Sequence, residues 1–453
     1  MTELRATGLG TAAESRPGQS RDASLSRRRR LLCVYQHAPT PGAPGIYRHR
    51  LYLSRLVERG WHVDLVSTPL NYMTGELPDA YRRRPFMDET IDGIDHHWVW
   101  ASRSIHRSKR GRVANYVTFA SAALARAALL PRPDVILASS PPLPVAGLGS
   151  MLGLRHRAPW LLEVRDIWPE SAAAVGWLSP DSRVYRAAER FARRETTRAS
   201  GVVVPTFGLV APVLRHGARR VRVVPGAVID THPDDALRAR TRAELGVAPD
   251  ECVFLYAGAV GVANGIDMLL DAVAALPTDL PATVVVAGDG SALADVRLRV
   301  EREGLRRIRL LGAVTKQRVG DLLSAADVCL HLLRPDPVFA SALPTKVLEY
   351  LGAHRPFVTT TFGLPERLAM ASGGGFAPTA ERLREELERW SRLDPVERRE
   401  KGEVAWRFGS ARFGIDASVD GLEQFLLDAI ARRSSQFDER SASRSDRSLA
   451  GAA

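Results

Sequence analysis

Short aliphatic runs alternate with helix-forming segments along most of the chain, and this alternation constrains the fold more than any other feature. The runs Leu31–Gln36, Val63–Ser67, Val135–Ala138, Trp160–Val164, Gly201–Val204 and Val221–Val224 are four to six residues long and almost wholly apolar. Runs of that length and uniformity are strands buried on both faces. Segments such as Val184–Arg198 separate them with helical patterning. Parallel strands need crossovers of this kind, so the first half predicts a parallel sheet with helices on both faces. A second cycle follows through Val253–Tyr256, Thr283–Ala287, Ile308–Leu311, Val328–Leu332 and Phe357–Val358. Between the cycles, Pro225–Asp250 is rich in Pro, Gly and Asp and marks the boundary. The expected architecture is α/β, with two Rossmann-like doubly wound domains whose carboxyl strand ends face one interdomain cleft.

The division that follows is a basic, disordered tail over 1–30, a first domain over 31–228 and a second over 229–415. A helix over 416–432 then packs back toward the first domain, and a disordered Ser/Arg-rich tail covers 433–453. Both tails are basic, with seven arginines against three acids in 1–30 and five against three in 431–453. Of the net charge of +12, residues 31–230 carry +11 and residues 231–430 carry −5. A basic first half suits an anionic partner such as a phosphate-bearing acceptor or an acidic membrane surface. Nucleic acid is not expected, because the charge lacks interleaved aromatics or a binding module. Arg103, Arg107, Lys109, Arg110 and Arg112 precede the apolar segment Val113–Leu130. That arrangement suits a peripheral membrane contact, and equally a core helix with a solvated basic entry. Arg126 interrupts the segment, which is not a spanning helix. The N-terminus has no secretory pattern, and Cys33, Cys252 and Cys329 lie far apart in apolar contexts. They fit reduced, buried thiols of a cytoplasmic protein, possible peripheral attachment being to the inner face of the cell membrane.

Only four of the 63 basic residues are lysines, and Lys346 sits in Leu343–Gly352 directly after Pro344. Proline suits the first turn of a helix, which places Lys346 beside the positive end of the helix dipole. An ammonium together with unpaired helix N–H groups makes a diphosphate site, and Glu349, on the same face, is placed to accept hydrogen bonds from ribose hydroxyls. A lysine bending out to solvent satisfies the same sequence. Glycine-containing turns follow the strands at Gly258, Gly261, Gly288 and Gly290, with Asn264 in the first of these loops. Each permits close approach of backbone to a ligand and is also the ordinary residue of a tight turn. None forms the dinucleotide fingerprint.

With these segments in order, the chain resembles retaining GT-B glycosyltransferases of glycosyltransferase family 4, especially the WbuB-like group. The matching pieces are the Gly-rich loop before Ile46-Tyr47-Arg48, Ala138–Pro142, Val164–Glu170, Tyr256–Gly258, Ala287–Gly290, Leu311–Val314, Ala326–Val328 and Leu343 through Pro356. The resemblance implies transfer of a sugar from a nucleotide-sugar donor, held mainly by the second domain, to a glycan or lipid-linked acceptor held by the first. It implies retention of anomeric configuration, a place in surface polysaccharide or glycoconjugate synthesis, and neither metal nor cofactor. By position, Glu349 matches the second glutamate of the family's Glu-x7-Glu motif, whereas Ser341 stands at the first. Ala259 and Asn264 stand where many members carry Arg and Lys, which shifts diphosphate neutralisation toward Lys346, with Thr345 beside it. Asp166 lies near the position of a family histidine close to the reacting sugar and is the candidate to accept or orient the acceptor proton. Its alternative is a pairing with Arg165 or with backbone that shapes the loop. Gly45, Arg48 and Arg165 are candidates for acceptor or phosphate contacts; a solvated helix face accounts for Arg48 as well. The eleven histidines show no ligand spacing, and His96-His97 fall on opposite faces of a strand. A nucleotide-sugar 2-epimerase of the same fold and a catalytically silent nucleotide-sugar-binding partner are the competing functions.

Overall fold

The computed structural model describes residues 28–43, 48–72, 74–82, 84–105, 108–174, 176–334, 340 and 343–450. The first sheet holds β1 (Arg30–Val34), β2 (His62–Ser67), β3 (Phe86–Ile91), β4 (Ile94–Val99), β5 (Val135–Ser140), β6 (Trp160–Val164), β7 (Gly201–Val204) and β8 (Val221–Val223). Their order is β3-β4-β2-β1-β5-β6-β7-β8. Every pair is parallel except β3 with β4, an antiparallel hairpin at the edge. The second sheet holds β9 (Cys252–Ala257), β10 (Ala282–Ala287), β11 (Ile308–Gly312), β12 (Val328–His331), β13 (Phe357–Thr359) and β14 (Gly375–Phe376), in the order β11-β10-β9-β12-β13-β14. All of its pairs are parallel. Two doubly wound α/β domains are therefore present, as the alternation predicts.

The strands read as continuous apolar runs because helices cover both faces. In β1, Leu32 and Val34 enter the core on one side, while Leu31 and Cys33 enter the core on the other. In β9, Cys252, Phe254 and Tyr256 face one core and Val253, Leu255 and Ala257 the opposite one. Alternation along a strand places successive side chains on opposite faces, so a sheet covered on both sides needs apolar residues at every position. The three cysteines are free and buried.

Two elements differ from expectation. The boundary Pro225–Asp250 contains a helix, Asp235–Glu244, which joins the second domain through Arg238 and Arg242. Both donate to Asp327, at 2.6 and 3.2 Å, and the Val253 N–H donates to the same carboxylate at 2.8 Å. The final helix runs from Ile415 to Ala450, past the expected end at 432 and through most of the expected tail. Its buried residues Val419, Leu422, Phe425, Leu426 and Ala429 complete the first domain's core. Two segments of chain thus cross between the domains, and they run side by side, with Val228 forming a parallel bridge to Gly414.

Candidate functional site

In each sheet the crossovers reverse direction beside the first strand, between β1 and β5 and between β9 and β12. The loops at the carboxyl ends of those strands flank a crevice where ligands bind in this architecture. The helix Thr345–Gly352 follows β12, and the Gly258 loop follows β9, so the switch point itself brings Lys346 and Gly258 together. Pro344 is the residue before the first turn. Lys346 Nζ lies 4.6 Å from the centre of the Tyr256 ring. A Cβ on Gly258, whose φ is +155°, would lie 2.4 Å from that nitrogen, so glycine leaves the space the ammonium occupies. His331, buried and bonded through Nδ1 to Thr359 Oγ1 at 2.8 Å, belongs to the same environment. Burial and the Lys346 charge hold this imidazole neutral, with its pKa lowered to about 3. Among the described residues Lys346 has no ion-pair or hydrogen-bond partner. Burial lowers its pKa from 10.5 to about 8, opposed by the nearby Glu349 carboxylate.

Glu349 does have a partner. Lys316, heading the helix Lys316–Ala325, donates to Glu349 Oε1 at 2.5 Å. The two line a cavity of about 340 Å³ together with Thr345, Leu348, Leu323, Ile229 and, from the first domain, Arg48. Sequence reasoning missed Lys316; its rarity as a lysine in an arginine-rich chain was the available signal.

The remaining glycines serve the loops themselves. A Cβ on Gly288 would lie 1.7 Å from the Gly258 carbonyl oxygen, and one on Gly290 would lie 2.4 Å from that of Val260. The loops are tied through Gly258 N to Ala287 O, Val260 N to Asp289 O and Gly288 N to Gly312 O, at 2.8–2.9 Å. Gly288 and Gly290 are therefore required for backbone to meet backbone, whatever ligand the loops also hold. The Asn264 Oδ1 accepts from the Gly261 N–H at 3.2 Å, so this side chain caps its own turn.

In the first domain, Arg48 and His49 open the helix Arg48–Glu58 and both bond to Glu163, a β6 residue only 2% exposed. Ser139 Oγ donates to the same carboxylate at 2.6 Å. Burial would raise the pKa of Glu163, but His49 and Arg48 hold it well below the usual carboxylate range. Arg48 also donates to the Val224 carbonyl at 2.6 Å. Its guanidinium is thus committed to the domain's interior and is not the solvated residue that one reading allowed. Arg165 donates to Ser139 Oγ at 3.0 Å and to the Pro141 carbonyl, and lies 4.8 Å over the Tyr35 ring. It does not pair with Asp166. Asp166 instead accepts from Ser171 Oγ and stands at the mouth of a small pocket with Ser140, Ile167, Trp168 and His216. Solvent reaches part of the residue, yet desolvation raises its carboxyl pKa against the Ser171 bond. Gly45 and Ser341 lie outside the described residues.

One His/Asp group among the described residues has metal-ligand spacing, His62, Asp64 and Asp95. It lies near the amino ends of the strands, away from the crevice, and Arg30 already holds Asp64 at 2.8 Å. His97 bonds to Asp64 and Asp88 at 3.0 and 2.8 Å.

Residues 42–227 match the glycosyl transferase 4-like domain family, and residues 251–390 match the family described as glycosyl transferases group 1. The chain is thus built as a glycosyltransferase of the GT-B type. Solved structures share the fold at low identity. Anabaena HepE in complex with UDP and glucose is 17% identical over 88% of this chain and 100% of its own, with a TM-score of 0.64. Sucrose-phosphate synthase from Thermosynechococcus elongatus is 17% identical over 89% and 100%, with a TM-score of 0.68. WaaG, a glycosyltransferase involved in lipopolysaccharide biosynthesis, is 19% identical over 86% and 98%, with a TM-score of 0.58. Comparison with curated proteins returned no match. Among the described residues no helix is long and apolar enough to cross a membrane.

Proposed function

We propose that the protein transfers a sugar from a nucleotide-sugar donor to a glycan or lipid-linked acceptor, with retention of configuration, in the synthesis of a surface polysaccharide or glycoconjugate. The observation that carries this reading is Lys346, a half-buried ammonium with no ion-pair partner among the described residues, at the head of a helix. Burying a cation unpaired is costly unless an anion completes the site. The diphosphate of a nucleotide sugar supplies that anion, and the helix N-terminus adds N–H donors. The UDP and glucose held by the Anabaena neighbour fit the same reading.

In the proposed reaction the bond from the sugar's anomeric carbon to the leaving phosphate oxygen breaks as the acceptor oxygen bonds to the same face of that carbon. The acceptor proton passes to the departing diphosphate. Lys346 stabilises the charge that develops there, which is the term that most lowers such a barrier. Asp166 orients the acceptor hydroxyl, and no step is assigned to a metal ion. The acceptor side extends to an anionic membrane surface. The helix Lys109–Ala127 buries Phe119 and Ala123 but leaves Val113 and Val117 60% and 52% exposed beside Lys109 and Arg110.

A thermal-shift panel of UDP, GDP, dTDP and their sugars, followed by mass spectrometry of products with and without acceptor, tests the reading. Transfer is expected, with Lys346→Ala abolishing nucleotide binding and Asp166→Asn lowering turnover about 100-fold at unchanged nucleotide affinity. Product formed without acceptor indicates an epimerase, and binding without any product indicates a silent partner. Equal sedimentation with neutral and anionic liposomes at low salt removes the membrane contact.

A further inference from the structure

We propose that Lys316 is a positioning residue for nucleoside recognition, holding one oxygen of Glu349 so that the other is presented to ribose hydroxyls. This rests on the donor-site reading above. Two helices face each other across the interdomain cavity, one contributing Lys316, Val319 and Leu323 and the other Thr345, Leu348 and Glu349. A lysine in the first turn of a helix opposes the dipole, and Glu349 supplies a compensating anion at 2.5 Å. Only Glu349 Oε1 is engaged; Oε2 has no partner among the described residues.

The choice of lysine carries the inference further. Basic residues number 63 in this chain and lysines only four, so arginine is the default. An arginine facing a carboxylate frequently takes both oxygens in a fork, whereas an ammonium is a point charge that contacts one. The fork geometry of an arginine at 316 would keep the ion pair and compete for the oxygen that a hydroxyl needs. Lysine fixes the carboxylate and leaves half of it available. The pair is half-exposed, with side chains 50% and 40% accessible, so it adds little to fold stability. Its position on the cavity wall is what it contributes.

The test compares wild type, Lys316→Met, Lys316→Arg and Glu349→Gln by isothermal titration calorimetry. The probes are whichever of UDP and GDP wild type binds more tightly, its 2′,3′-dideoxy analogue, and inorganic pyrophosphate. Wild type is expected to favour the ribonucleotide roughly tenfold or more, the usual effect of a ligand hydrogen bond to a charged group. Lys316→Met, Lys316→Arg and Glu349→Gln should each bring that ratio close to one while leaving pyrophosphate affinity within about twofold. A merely structural ion pair would instead be restored by arginine. Full discrimination in Lys316→Arg, or an unchanged ratio in Lys316→Met, overturns the proposal and leaves the donor site standing. Wild type that binds neither nucleotides nor pyrophosphate overturns both.

Discussion

Lys346 shows how one residue converts burial into ligand demand. Its folded pKa of about 8 lies below the ordinary value of 10.5, so between those pH values the unfolded chain holds more protons. Unfolding free energy therefore rises with pH across that window, and the penalty of the buried charge is fully present below about pH 8. At about 1.4 kcal/mol for each tenfold change in proton affinity, the gain is at most about 3 kcal/mol. Urea titrations at pH 7.5 and 10 should show it in wild type after subtraction of the same profile for Lys346→Met. A bound diphosphate reverses the shift, so nucleotide binding at pH 8.5 should take up protons. Calorimetry in two buffers of different ionisation enthalpy reads this directly, and equal heats in both would remove the assignment. The sequence placed Lys346 at a helix head from Pro344 alone. It had no way to show the Tyr256 ring, the space at Gly258 or the neutral His331, because these meet only when β9 and β12 pair.

At the scale of elements, the same limits recur with a physical pattern. The strands were legible because burial on both faces leaves uninterrupted apolar runs. The edge hairpin β3–β4 is less so: Phe86–Ile91 alternates between exposed and half-buried residues. The glycine turns were legible as turns, but their purpose was not. Gly288 and Gly290 let one loop backbone lie against another, a relation between segments about thirty residues apart. Gly288→Ala is expected to destabilise the second domain by about 3 kcal/mol or more, since strained φ and a backbone clash act together. Chemical denaturation should register it even without ligand, which distinguishes packing from a donor contact. Asp327 belongs to the same class of hidden relation. It accepts from Arg238, Arg242 and the Val253 N–H, with Arg398 at 3.6 Å, joining the boundary helix to the sheet. Desolvation opposes ionisation there, but the three guanidiniums win and lower its pKa. Asp327→Asn strands buried arginine charge and should cost about 3–5 kcal/mol, measured by urea midpoint at pH 7. Because the wild-type stabilisation disappears only as pH falls through the folded pKa, below 3.8, the difference should be constant from pH 5 to 8.

For the whole molecule, the C-terminal helix joins the end of the chain to the domain at its beginning. Arg59 contacts Asp420 and Glu423 at 2.6 and 2.8 Å, Trp61 Nε1 donates to Glu423 at 2.8 Å, and Arg220 meets Asp428 at 2.8 Å. Beneath these, Phe425 sits so close to Gly201 that a Cβ there would lie 2.5 Å away. A chain ending at Gly414 would lose five buried apolar side chains and uncover the first-domain core beneath them, a loss on the order of 10 kcal/mol and comparable to a domain's entire stability. Such a truncation is expected to be insoluble, or soluble with the first domain's amides unprotected in hydrogen exchange while the second domain's remain protected. Uniform protection would show that the helix is dispensable.

The paired crossings at Val228 and Gly414 have a mechanical consequence. Two domains tied by a single strand can swivel and twist about it. With two crossings bridged side by side at Val228 and Gly414, they resemble a book with one spine, and a closing motion would turn about a single axis. The helix bearing Lys346 lies beside that spine, because Gly352 accepts from Thr231 N at 3.0 Å and Leu348 packs against Gly226. Displacement grows with distance from an axis, so in such a motion the outer margins of the crevice would travel farthest and this helix least.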